Sequence, residues 1–233
     1  MRITFFSNFL NAHQLPLSNE FDAMEGVDYT FVSLLATDGM VGRASLDDDY
    51  SFVIKEYDGE AEVALAMRHA VEDEMVIFGD MAGKEQYVRA RAKTGKPFFR
   101  YAERLLKRGD WWRFALPKIY RTWNQFGRYK NDEIRVLCAS AYTARDLALF
   151  GFPVSKCFKW GYFPQVRTTD GTPDSKTPLQ RYKALCSAQR LIPLKRVDLQ
   201  IHALQRVLSA GADVTLSIAG DGPEKQKLEE LAS

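Results

Sequence analysis

The chain has 233 residues, with 32 Lys plus Arg against 30 Asp plus Glu, 46% hydrophobic residues and 27% charged ones. These are globular proportions, and they exclude a disordered chain, a collagen and a coiled-coil rod. Cys138, Cys157 and Cys186 form no C-x-x-C pair, which argues against a zinc site or a disulfide framework. They read as small buried hydrophobes in a reducing cytoplasm. The opening MRITFFSNFL lacks a basic n-region and a small-residue cleavage site, so no secretory leader is expected. No apolar run approaches the roughly eighteen residues of a membrane span.

In chain order the sequence predicts a strand over 2–7, a helix over 15–23, strands over 29–34 and 51–54, a helix over 60–71 and a strand over 75–78. Helices are predicted over 98–107 and 117–126, then a strand over 134–138, a helix over 141–150 and a strand over 156–160. Strands over 183–187 and 213–219 flank a helix over 197–210, and a short helix runs to Ser233. Continuous apolar runs such as MVIFG and IRVLCAS suit strands covered on both faces, hence a parallel sheet. Alternating strands and helices point to an α/β, Rossmann-like, doubly wound fold.

The predicted domains are 1–164, a Gly/Pro/Thr-rich linker over 165–182, and a second, incomplete Rossmann-like domain over 183–233. The latter offers about fifty residues and two strands, below what usually folds alone.

Charge is unevenly spread. Residues 1–92 carry 7 basic against 17 acidic side chains, while residues 93–130 carry 11 against 2, together with ten aromatics. Cations among interfacial aromatics suit an anionic membrane surface. Lys107, Arg108, Trp111, Trp112 and Arg113 form the sharpest cluster. Nucleic acid is the rival partner for such a patch; the acidic first block argues against it. Leu116, Ile119, Trp123 and Phe126 recur at helical spacing and are expected to face the core. Trp111 and Trp112 suit core and membrane equally.

Arg190 and Lys195 follow one strand of the second segment, and the turn Gly220–Pro223 follows the next. Ligands bind at the carboxyl ends of strands in open α/β sheets. Two cations beside Gly220 and Gly222 could therefore cradle a diphosphate. On spacing alone they equally suit a solvated loop and an ordinary strand-to-helix turn. His13 and Gln14 lie in a loop after the first strand, where function concentrates. His69 and His202 fall within helices and read as structural or surface residues. Dinucleotide, P-loop and G-x-S-x-G signatures are absent.

RLIPLKRVDLQIHA followed by TLSIAGDGPEKQKLEELA resembles the donor-domain opening of family-four GT-B glycosyltransferases. FFSNFLNAHQLPLSNEF, FRYAERLLKRGDWWRF, LCASAYTARDLALFG and KCFKWGYFPQV are similar to segments of the capsular and exopolysaccharide subgroup. The resemblance implies a retaining, metal-independent transferase that moves a sugar from a nucleotide-sugar donor to a lipid-linked or oligosaccharide acceptor, with no separate cofactor. It implies that Arg190, Lys195, Gly220 and Gly222 hold the donor diphosphate and that His13 and Gln14 face the acceptor. Arg196 stands where the family often has Gly. The family's acidic E-x7-E-type motif would lie beyond Ser233, and Glu229 with Glu230 comes too early to replace it. The chain is thus expected to be a truncated or fragmentary enzyme, inactive alone. The alternative is a non-catalytic membrane-surface subunit that binds acceptor and pairs with a donor-domain chain. A sugar-nucleotide epimerase on the same scaffold is a third reading. The expected location is cytoplasmic and peripheral at the inner face of the plasma membrane.

Overall fold

A computed structural model describes residues 1–36, 46–47, 50–107, 109–164 and 184–232, the side chains of 184–186 excepted. The chain divides into two compact units, 1–167 and 168–233.

The first unit runs β1 (Arg2–Ser7), α1 (Leu15–Ala23), β2 (Asp28–Ser33), β3 (Val53–Lys55), α2 (Glu60–Glu72), β4 (Met75–Phe78), α3 (Gln86–Lys93), β5 (Phe98–Ala102), α4 (Leu116–Gln125), β6 (Ile134–Cys138), α5 (Thr143–Ala148) and β7 (Cys157–Lys159). Its strands make one seven-stranded sheet in the order β3-β2-β1-β4-β5-β6-β7, parallel throughout. β1 lies inside the sheet, with Ile3 opposite both Tyr29 and Met75. Strand order reverses between β1 and β4, where a crevice opens outside the carboxyl ends.

Side chains of a strand alternate between faces, and the core divides accordingly. Phe6, Val32, Phe78 and Val136 pack in one cluster; their neighbours Phe5, Phe31, Ile77 and Leu137 pack in the other. Both faces are covered, as the apolar runs predict.

The helix predicted over 98–107 is not formed. Residues Phe98–Ala102 are strand β5, paired with β4 and β6. Phe98, Arg100 and Ala102 are buried while Phe99 and Tyr101 are half-buried, a period-2 pattern that no helix produces. Helix α3 has no counterpart among the predicted elements. Its Arg91 is fully buried, and its guanidinium donates to the carbonyls of Asp73 at 2.6 Å and Pro97 at 2.8 Å.

Arg91 thereby ties α3 to the junction of α2 and β4. At the same junction Asp73 is 1% exposed. Its carboxylate accepts from Thr4 Oγ1 of β1, lies 2.8 Å from His69 Nδ1 of α2, and faces Arg2 Nε at 3.5 Å. His69 is thus structural.

The second unit holds β8 (Ala184–Ala188), α6 (Val197–Ser209), β9 (Thr215–Ala219) and α7 (Lys225–Ala232). β8 and β9 are parallel, with Ala188 opposite Ala219. Leu191, Val197, Ile201 and Leu228 form a small core of their own, and β9 alternates exposed and half-buried residues.

Burial alone would raise the Asp73 carboxyl, but hydrogen bonds from His69 and Thr4 and the charges of His69 and Arg2 outweigh it and hold the group below 3.8. A depressed folded-state pKa adds stability above the unfolded value and loses it as pH falls through the folded one. Asp73→Asn is expected to cost about 2 kcal/mol at pH 7, measured by urea unfolding. The deficit should narrow once the pH drops below about 4.

Candidate functional site

The carboxyl edge of the seven-stranded sheet carries a cavity of about 280 Å³, lined by Ser7 at the end of β1, Asn8 after it, Asp80 after β4, Glu103 after β5, and Trp160 and Tyr162 after β7. The loop after β1 is organised by Asn11, whose Oδ1 accepts from the backbone N–H groups of His13 at 2.9 Å and Gln14 at 3.2 Å. Gln14 Nε2 donates to Ser7 Oγ at 3.0 Å, and Gln14 Oε1 accepts from Asn11 Nδ2 at 3.0 Å. Both ends of the Gln14 amide therefore hold the loop in shape. His13 is exposed, with its ring 6.0 Å from that of Tyr162. Asn8 Oδ1 is buried without a hydrogen-bond partner among the described residues, so it can accept from a ligand hydroxyl.

A larger cavity of about 560 Å³ continues from the first, sharing Asp80, Tyr101 and Glu103 with it. Its lining holds Arg100, Arg104, Lys107, Lys118 and Arg121 against the carboxylates of Asp80 and Glu103, with Trp112 as an aromatic wall. Lys107 Nζ bonds Glu103 Oε2 at 2.5 Å, and Tyr162 donates to the same carboxylate. Those two bonds hold Glu103 below the usual carboxylate range against the effect of burial. Arg100 is paired with Glu85 through two bonds of 2.7 and 3.1 Å.

Of the cluster expected at a membrane surface, Lys107 and Trp112 line this cavity. Trp111 is 64% exposed, and Arg113 stacks on Phe114 with its guanidinium 4.6 Å from the ring centroid. Arg108 lies outside the described residues.

The stripe expected to face the core does not do so. Leu116 is 78% exposed, Ile119 40% and Trp123 52%, and only Phe126 is buried. The helix is rotated so that Thr122 and Phe126 meet the core and Lys118, Arg121 and Gln125 face the cavity. Helical spacing identifies a face but not what covers it.

In the second unit Arg190, Lys195, Gly220 and Gly222 all follow the carboxyl ends of β8 and β9. Arg190 and Lys195 are exposed; among the described residues neither has a salt bridge. The glycines bring the two loops together. A Cβ on Gly220 would lie 2.0 Å from the Gln189 carbonyl oxygen, and one on Gly222 2.4 Å from that of Leu191. The loops are laced by Gln189 N–H to the Ala219 carbonyl at 3.0 Å, Leu191 N–H to Asp221 at 2.8 Å and Glu224 N–H to Leu191 at 3.1 Å. The space left by the missing Cβ atoms is filled by the facing loop, which fixes the segment that carries Arg190. Arg196 adopts φ 50°, ψ 46° at the start of α6, a left-handed conformation that glycine adopts without cost.

Among the described residues no three His, Cys, Asp or Glu side chains converge as a metal site. Cys138 is buried and Cys157 half-buried; the Cys186 side chain is outside the described set.

No family model matches the sequence, and no curated protein matches it. Solved structures do. Anabaena Alr3699/HepE in complex with UDP aligns over 99% of this chain with a TM-score of 0.61 at 15% identity, and its complex with UDP and glucose gives 0.60 at 13%. TarM, known from S. aureus, aligns over 73% of this chain with a TM-score of 0.50 at 17% identity. The fold is of the GT-B type. This GT-B-type chain spans 64% of the length of HepE and 33% of that of TarM.

Residues that the sequence reading left out include Asn8, Asp80, Lys118, Arg121 and Tyr162. Asp80 comes two residues after the end of β4, and that position alone could have marked it. Lys118 and Arg121 could have been found only from the rotation of α4.

Gly220→Ala is expected to force the two loops of the second unit apart. The Gln189 amide should then exchange at least about tenfold faster in hydrogen-exchange measurements, with the amides of β1 and β4 unchanged.

Proposed function

We propose that the chain carries the acceptor domain, residues 1–164, and the opening of the nucleotide-sugar domain, residues 183–233, of a glycosyltransferase. The complete enzyme moves a sugar from a nucleotide donor to a lipid-linked saccharide in surface polysaccharide synthesis. The likeness to HepE over 99% of the chain, in a structure that holds UDP, is the observation that carries the reading. The motif resemblance supports the finer assignment.

In this reading Arg190 and Lys195 meet the donor diphosphate. Negative charge develops on that leaving group during transfer, and fixed cations there lower the barrier. Their exposure and lack of salt bridges among the described residues leave them available. Asn8 and His13 line the acceptor cavity. Asn8 Oδ1 accepts from a sugar hydroxyl, and a neutral His13 imidazole can take up a hydroxyl proton. By the family resemblance, transfer retains anomeric configuration and takes no metal.

The exposed side chains of Trp111, Phe114, Leu116, Ile119, Tyr120 and Trp123, with Arg113 among them, support peripheral attachment to an anionic bilayer. No helix among the described residues is long and apolar enough to cross a membrane.

UDP titrated into the chain should perturb its own phosphorus resonances, and Arg190→Ala with Lys195→Ala should weaken binding at least about tenfold. A wild-type chain that ignores UDP, or a double variant that binds equally well, overturns the donor assignment. For the bilayer, vesicles containing phosphatidylglycerol should float the chain at low salt and pure phosphatidylcholine should not. Ile119→Glu with Trp123→Glu should cut the bound fraction about fivefold or more.

A further inference from the structure

We infer that the larger cavity of the first unit is a phosphoryl-binding site for the acceptor, in which Arg104, Lys118 and Arg121 grip a phosphate or diphosphate beside the indole of Trp112. The inference rests on the acceptor-side reading of that unit and names the chemical class its ligand must carry.

The cavity's charge is unbalanced. Five cations meet two carboxylates in its lining. Glu103 is engaged by Lys107 and Tyr162, and the Arg100 charge is met by Glu85 at 2.7 Å. Lys118 and Arg121 have no salt bridge among the described residues. Arg104 stacks on Tyr142 with its guanidinium carbon 4.6 Å from the ring centroid, and its nearest carboxylate oxygen, on Asp146, is 3.9 Å away. Burial and the like charges of Arg121 and Lys107 push the Lys118 ammonium down, and Asp146 offsets this only in part. Cations crowded in this way repel one another until an anion joins them.

Hydrogen-bond donors are also left over. Arg100 is 2% exposed, it lines the cavity, and its Nε has no partner among the described residues. Arg104 Nε is in the same condition. A buried donor without an acceptor is costly, and guanidinium groups match the oxygens of phosphate in geometry and charge. A cavity of about 560 Å³ holds such a group together with part of the molecule that bears it.

Helix α4 adds direction. Lys118 and Arg121 turn to the cavity while Leu116, Ile119 and Trp123 stay exposed. One helix thus presents phosphoryl-binding cations beside an apolar surface, which suits a diphosphate whose lipid tail remains in a bilayer.

The test titrates geranyl diphosphate and UDP separately into the full chain by calorimetry. Geranyl diphosphate should bind the wild type, and Lys118→Gln with Arg121→Gln should weaken it at least about tenfold while UDP is unaffected. Arg190→Ala with Lys195→Ala should do the reverse. Lys118→Arg alone should keep geranyl diphosphate binding, which separates lost charge from lost folding. Failure of the wild type to bind geranyl diphosphate, or equal binding by the glutamine pair, overturns the inference; UDP binding would leave the donor reading standing. Phosphatidylglycerol vesicles form the second arm. If only vesicle binding responds to the glutamine pair, the cavity serves bulk headgroups and the acceptor assignment is overturned.

Discussion

The buried fork between Glu85 and Arg100 is the contact on which the working edge of the sheet depends. Both side chains are removed from water, at 6% and 2% exposure, so each charge needs the other. Glu85 stands at the start of α3, where the helix dipole favours a carboxylate, and Arg100 projects from the middle of β5. Phe126, just past the end of α4, lies 5.4 Å from the same guanidinium. Three elements distant in sequence are thereby brought to one point beneath the larger cavity. Deleting one partner would leave a buried charge; replacing both with apolar residues would test how far the fork serves position rather than stability.

This arrangement explains how a chain with near-balanced charge sustains a strongly basic cavity. The acidic first block supplies Glu85 and also Asp73, which anchors β1 and α2. Such carboxylates are spent internally, where they order the scaffold. The basic block contributes one cation, Arg100, to the interior and several to the cavity lining. Segregation along the sequence becomes segregation by depth.

Much of the architecture was legible beforehand because a parallel sheet covered on both faces leaves a direct trace, the short unbroken apolar run. β1, β4 and β6 carry that trace and fall where expected. β5 does not: FFRYA places an arginine at a buried position, and the run of cations after it has the polarity of a helix face. Only the partner, Glu85, makes Arg100 acceptable inside, and a contact fifteen residues away leaves no periodic signal. α3 was hidden for the same reason, since QYVRARAK reads as solvent-facing until Arg91 is seen capping carbonyls. The candidate site divides likewise. The strand-end positions of His13, Arg190 and Gly220 are visible in one dimension. Rotation of α4, which turns Lys118 and Arg121 to the cavity, is set by packing.

Among the described residues the sheet of the first unit ends at both margins in a strand of three residues, Val53–Lys55 on one side and Cys157–Lys159 on the other, each closing on a lysine. A margin this short offers few free amide and carbonyl groups to a stray β-segment, and the terminal ammonium penalises an incoming apolar strand. Long, sticky strands are thus confined to the middle of the sheet. The practical consequence is a first-unit sheet that presents little template for edge-to-edge pairing, beside a helix that displays apolar side chains to its surroundings.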